Sequence, residues 1–229
     1  MRTRHPALRE PYSSGMTTAD GARATRLPRE QRRQQVLAAA LEIFSTVGYH
    51  AASMDDIADR AGVSKPVLYQ HFTSKLDLYL DLLDVAIEDL LDAAHAALTH
   101  THDNRERVSS WVSAYFGFVE NPNGAFRLFF ENDLANDERV RSRIDTAYLK
   151  LTRMAAAVIS EDTGLSQAQS MLISSGIQGM VQYAAIRWLR NPEDAISRAD
   201  ATELISSLAW RGIGGFPLTH PPQDDEHFA

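Results

Sequence analysis

Five times in this chain a Ser or Asp stands three places ahead of Asp, Glu or Gln, at the start of an apolar-periodic run. The five are Ser53-Met-Asp-Asp56, Ser74-Lys-Leu-Asp77, Asp103-Asn-Arg-Glu106, Ser166-Gln-Ala-Gln169 and Ser197-Arg-Ala-Asp200. Such a pair satisfies orphan N–H groups at a helix start, so each marks a helix N-terminus. Pro28 marks another, because a first-turn proline lacks an N–H that would have no partner anyway. Between the marks the apolar residues recur at helical spacing: Val36, Leu37, Ala40, Leu41 and Phe44, then Leu76, Leu80, Leu83, Ile87, Leu90, Leu91 and Ala94. No stretch reads as a strand. The chain is predicted to be all-α, with three short helices followed by about six more.

Gly48 is expected to stop the first helix near Val47, and Ala61-Gly62 to end the second in a left-handed turn. Later helices are expected over residues 107–119, 126–130, 137–161, 167–190 and 198–211. Residues 1–27, rich in Arg, Pro, Ser, Gly and Thr, lack periodicity and read as a disordered arm with nothing structural before Met16. The tail from Pro217 is Pro-rich, acidic and loose. The predicted division is therefore an arm (1–27), a head (28–75), a body (76–216) and a tail (217–229).

Charge separates head from body. Net charge is −7, yet residues 1–75 hold 11 Lys+Arg against 7 Asp+Glu, while residues 76–229 hold 12 against 23. A basic head on an acidic body predicts that only the head meets a polyanion. The absence of cysteine excludes disulfides and thiolate chemistry and fits a reducing cytoplasm, the predicted location. No run is apolar and long enough to span a bilayer, and the N-terminus has no secretory h-region.

Residues 53–72 read as helix, short turn with Gly, helix. In that layout the second helix enters the major groove of double-stranded DNA. Ser64 offers a helix N-terminus to a phosphate. Lys65, Pro66, Val67 and Gln70 lie on the leading edge, where Gln can bond an adenine edge and Pro or Val can touch a thymine methyl. Tyr69 and His71 can donate to phosphates, Lys75 adds a cation, and Leu68 and Phe72 anchor the helix to its own core. Such patterns also arise by chance in helical proteins; the basic head and the arginines at 29, 32 and 33 favour DNA.

The segment PREQRRQQVLAAALEIFSTVGYHAASMDDIADRAGVSKPVLYQHFTSKLDLYLDLL, residues 28–83, resembles the DNA-binding domain of TetR-family transcriptional regulators. The resemblance implies phosphate contacts from Tyr69, His71 and Lys75, a cap or phosphate contact from Ser53, and base readout by Ser64 to Gln70. The chain departs at Pro66, where many members have Gly or Ala. Further stretches, RLFFENDLANDERVRSRI and SSLAWRGIGGFPLTH, are similar to actinobacterial regulators of fatty acid synthase genes, the FasR group. That resemblance implies a homodimer on a palindromic operator, released by a long-chain acyl-CoA effector. A regulator of an efflux or catabolic operon sensing another hydrophobic molecule is the alternative.

Large apolar residues in the body allow an effector chamber: Phe116, Phe126, Phe129, Phe130, Tyr148, Met154, Ile177, Met180 and Tyr183. For any one of them ordinary core packing is the default; as a set they can line a cavity between helices. Ser174, Ser175, Gly176 and Gly179 can admit a helix of a second copy, or the chain's own helix at 142–160. No catalytic signature is present: no G-x-S-x-G, H-E-x-x-H, P-loop or G-x-G-x-x-G. His100 and His102 lack a placed third ligand, so neither a metal nor any other cofactor is predicted.

Overall fold

The computed structural model describes residues 28–121, 125–130, 134 and 136–212. Among these the chain forms nine α-helices and one 3-10 turn, with no strand. The expected arm at 1–27 and tail from 217 lie outside the described residues, as do Gly214 and Gly215.

The head begins with α1 (Arg29–Ala51), which buries Val36, Leu37, Ala39, Ala40 and Phe44. Gly48, at φ 80°, breaks this helix where the sequence placed its end, but a further helical turn carries it to Ala51. Tyr49 in that turn packs on Phe44 and, edge-on, on Tyr79, with ring centroids 5.8 and 5.3 Å apart. These aromatic contacts hold the turn that the glycine alone would release.

Helix α2 (Met54–Arg60) starts at Ser53, whose Oγ accepts from Asp56 N at 3.0 Å. It ends in a Schellman motif: Val63 N donates to Ala58 O and Gly62 N to Asp59 O, both at 3.0 Å. The motif needs Gly62 at φ 61°, although a side chain there would meet nothing within 4 Å. Backbone conformation, not crowding, therefore selects glycine. The turn swings the chain into α3 (Lys65–His71), pinned by fully buried Leu68 and by Phe72 at its C-cap.

Helix α4 (Lys75–Thr99), capped by Ser74, runs from the head into the body, burying Leu78, Tyr79, Leu83, Ala86, Leu90 and Ala94 among others. Around it lie α5 (Asn104–Glu120), α6 (Ala125–Phe130), α7 (Glu138–Thr163), α8 (Gln167–Arg190) and α9 (Arg198–Arg211). The buried residues of head and body form one continuous core. Two further links hold α6: Tyr79 Oη donates to Leu128 O at 3.1 Å, and Arg127 donates to Ser45 O in α1. At the far end, buried Arg107 ties α5 to α7 through Asp162, 3.2 Å away. A polar seam joins α7 to α8, where Thr152 Oγ1 donates to Gln178 Oε1 at 2.8 Å and Ser174 Oγ to Thr152 O at 2.9 Å. Ser174 thus packs within the chain, whereas Ser175, Gly176 and Gly179 are exposed.

Gly62→Ala should lower stability by about 1–2 kcal/mol, since a Cβ disfavours positive φ. A urea midpoint indistinguishable from wild type would show that the turn tolerates another conformation.

Candidate functional site: the recognition face and the body behind it

The first turns of α1 and the exposed face of α3 enclose a concavity of about 600 Å³ lined by Arg29, Arg32, Gly62, Val63, Ser64, Val67, Gln70 and His71. The helix-turn-helix brings four of the expected residues together there: Ser64, Val67, Gln70 and His71. Lys65, Pro66 and Tyr69 stand exposed on the same short helix. Ser64 occupies the N-cap position, but its side chain makes no capping bond. Lys65 pairs across the turn with Asp55 at 2.6 Å, a contact that raises the pKa of its ammonium. Ser53 acts as a helix cap.

Lys75 has internal contacts that the sequence did not reveal. Its ammonium donates to the Tyr49 and Ala52 carbonyls, each at 2.8 Å, and lies 4.4 Å from the Tyr49 ring centroid. These carbonyls close the C-terminal end of α1, where backbone dipoles favour a cation. Lys75 therefore braces α1 against α4. Arg33 is likewise engaged internally, 2.6 Å from Asp81 and stacked over Phe72. Arg29 and Arg32 remain at the concavity, where Arg32 bonds only the neighbouring Gln35 side chain among the described residues. Their presence in an arginine-rich first turn was visible in the sequence; their convergence on α3 was not.

In the body, Phe116, Phe126 and Phe129 are buried, and half-buried Tyr148, Met154, Ile177 and Met180 pack against the same core. The side chain of Phe130 lies outside the described residues. Phe126 also lines a cleft of about 770 Å³ between α1 and the body, with Leu41, Glu42, Ser45, Arg127 and Leu189. Phe116 faces an apolar notch of about 170 Å³ with Trp188, Leu204 and Ile205. Tyr183 does not join the set, being 75% exposed. The inward face of α8 runs through Ser170, Ser174, Gln178, Val181 and Ala185, and Tyr183 falls about 200° around the helix from Val181.

Two polar residues accompany the apolar set. Gln182 Nε2 donates to Tyr148 Oη at 2.6 Å, and burial pushes the Tyr148 phenol up to about 12 despite that bond. Tyr115, 1% exposed, has no hydrogen-bond partner for its hydroxyl among the described residues. Burial, and then the neighbouring Tyr148, raise its pKa as well. Tyr115 was not among the residues expected to line the chamber.

A profile of bacterial regulatory proteins of the tetR family matches residues 36–82, which hold α2, α3 and the Lys75 brace. The likeness continues through the body. The HTH-type transcriptional activator FasR of Mycolicibacterium smegmatis is 43% identical over 197 residues, covering 86% of this chain and 90% of that protein. The chain belongs to the TetR family. It is thus a DNA-binding transcriptional regulator and not an enzyme. A TetR-like regulator from Rhodococcus sp. RHA1 superposes with a TM-score of 0.67 at 29% identity, over 83% of this chain and all of that one. FadR from Bacillus subtilis, solved in complex with stearoyl-CoA, has the same fold, with a TM-score of 0.67 at 20% identity over 79% of this chain and 98% of that one. Among the described residues of this TetR-family chain, no helix is long and apolar enough to cross a membrane.

The two kinds of cation should separate experimentally. Lys75→Met should cost about 2 kcal/mol of stability by leaving helix-end carbonyls without their charged donor. Arg29→Ala should leave the urea midpoint within error and lower operator affinity, reducing the slope of log K against log salt by about one. A stable Lys75→Met variant with a reduced salt slope would return Lys75 to the phosphates.

Proposed function

We propose that this chain is a homodimeric regulator of fatty acid synthesis genes, which binds a palindromic operator and leaves it when a long-chain acyl-CoA occupies the body. The observation that carries the reading is the 43% identity with the activator FasR, maintained over 86% of this chain. Effector-binding bodies must fit their ligands, so identity extending well past the head favours a related effector. By the same likeness the chain activates its target genes, and loss of the operator at high acyl-CoA closes a feedback loop. The stearoyl-CoA complex of FadR supports only the statement that this fold can hold such a ligand. Each buried CH₂ of an acyl chain contributes about 0.8 kcal/mol, so an apolar chamber needs few polar contacts.

The outer face of α8 and α9 suits a second copy. Leu172 and Tyr183 are 76% and 75% exposed, Ile173, Leu204 and Trp210 are exposed beside them, and Gly176 and Gly179 leave room for close helix approach. Two heads so joined would meet successive major grooves about 34–36 Å apart.

Signal transfer would run through α6. Phe129 packs edge-on against Tyr148, 5.1 Å between centroids. The adjoining Leu128 carbonyl holds Tyr79 of α4, and Arg127 holds Ser45 of α1. A ligand that displaces Tyr148 therefore moves both helices that position the recognition face.

Wild type should sediment as a dimer and protect a palindrome upstream of a fatty acid synthase gene. Saturating stearoyl-CoA should weaken that binding by about 5- to 150-fold. Leu172→Asp with Tyr183→Asp should yield monomers that lose the footprint. Tyr79→Phe should keep operator affinity while blunting the acyl-CoA response. A footprint indifferent to stearoyl-CoA, but erased by a cationic dye, would favour the efflux-type regulator.

A further inference from the structure

The hydroxyl of Tyr115 is enclosed by the body, yet no protein acceptor or donor reaches it among the described residues. Buried polar groups are nearly always partnered, so each exception calls for a cause. The neighbourhood supplies one. Tyr148 Oη accepts from Gln182, which leaves its own O–H proton to donate elsewhere. Tyr115 brings a second phenol proton from α5 to the same region. The Tyr115 hydroxyl is buried and unpartnered among the described residues, the half-buried Tyr148 has its own proton to offer beside it, and a carbonyl oxygen with two lone pairs is the group that matches both donors. Tyr148 is only half-buried, so this end of the core lies near the surface, where a ligand could enter.

We propose that Tyr115 and Tyr148 together form the anchor for a ligand carbonyl, so that the body recognises an acyl thioester or ester and not merely a hydrocarbon chain. This rests on the effector reading above and sharpens it. Apolar walls measure the chain and discriminate weakly between near-isosteric molecules, whereas a pair of buried donors rejects an analogue that lacks the acceptor. Because the anchor includes Tyr148, carbonyl capture acts on the residue that touches Phe129 and through it α6. A ligand without the carbonyl would fill space without gripping that contact.

The test uses the full chain, stearoyl-CoA, and S-octadecyl-CoA, the thioether that lacks only the carbonyl oxygen. Calorimetry on wild type should show about a tenfold preference for the thioester. Tyr115→Phe should bind both ligands alike, near the wild-type affinity for the thioether, and its melting temperature without ligand should equal or exceed that of wild type. Tyr148→Phe should also lose the preference. Equal wild-type affinities for the two ligands, or a Tyr115→Phe variant that retains the preference, would overturn the assignment while leaving the acyl-CoA reading intact. A lower melting temperature for ligand-free Tyr115→Phe would place the hydroxyl in a structural hydrogen bond and overturn it too. Should wild type bind neither ligand, the effector reading itself falls and takes the anchor with it.

Discussion

A single ammonium sets the geometry of the head. Lys75 closes the C-terminal end of α1 with two charge-assisted hydrogen bonds and lies against the Tyr49 ring. It is also the first residue of α4, so the last turn of one helix and the first turn of another share one fixed point. The recognition helix α3 hangs between α2 and this joint, with Leu68 and Phe72 as its only large inward anchors. Seven residues cannot hold a helix by propensity. The orientation of α3 is therefore inherited from α1 and α4, and a change in either is passed to the residues that face DNA.

That dependence gives the body its access to the head. Helix α4 spans 25 residues, about 37 Å of helix, and contributes to one core from end to end. Head and body are not two globules on a linker, so motion at one end of α4 is not absorbed by a flexible joint. Helix α6 adds a shorter path, since it holds α4 by the Tyr79 bond and α1 by Arg127. Arg127 and Phe126 meet α1 across the cleft that they line with Leu41, Glu42 and Ser45. A shift of α6 would thus act on the two sides of the Lys75 joint together. The exposed cap pairs elsewhere in the chain have no comparable reach.

Much of this was legible because capping is local chemistry. Ser53, Ser74, Asp103, Ser166 and Ser197 each accept from backbone N–H groups where the sequence placed them. Such bonds span three residues and owe little to tertiary context. The extension of α1 past Gly48 was not legible, because it depends on Tyr49 meeting Tyr79, thirty positions on. The Lys75 brace was not legible for a related reason: a cation at a helix start looks free until the carbonyl end of another helix is brought to it. Tyr183 was grouped with the chamber on residue type, though helical phase alone, counted from Val181 and Ala185, puts it on the opposite side of α8. Tyr115 is the converse case: that its hydroxyl is enclosed without a partner among the described residues depends on what the fold packs around it, which residue type does not reveal.

The charge asymmetry also means less, and then more, than composition implied. Of the 11 basic residues in positions 1–75, five precede Pro28. Among the rest, Arg33, Arg60 and Lys65 are paired with Asp81, Glu42 and Asp55, and Lys75 is turned inward. Arg29 and Arg32 stand at the concavity, and among the described residues neither has a carboxylate partner. Among the described residues, two or three phosphate neutralisations per head, counting Lys65 if it exchanges Asp55 for DNA, would contribute about −2 to the salt slope. A head of that kind alone would bind weakly at physiological salt. Two heads held at fixed separation add their free energies, because the second engagement is intramolecular. The fewer contacts each head makes, the more affinity depends on head spacing, and α4 and α6 are the elements that tie the body to the head. A head with more free cations would hold DNA more tightly by itself and depend less on spacing.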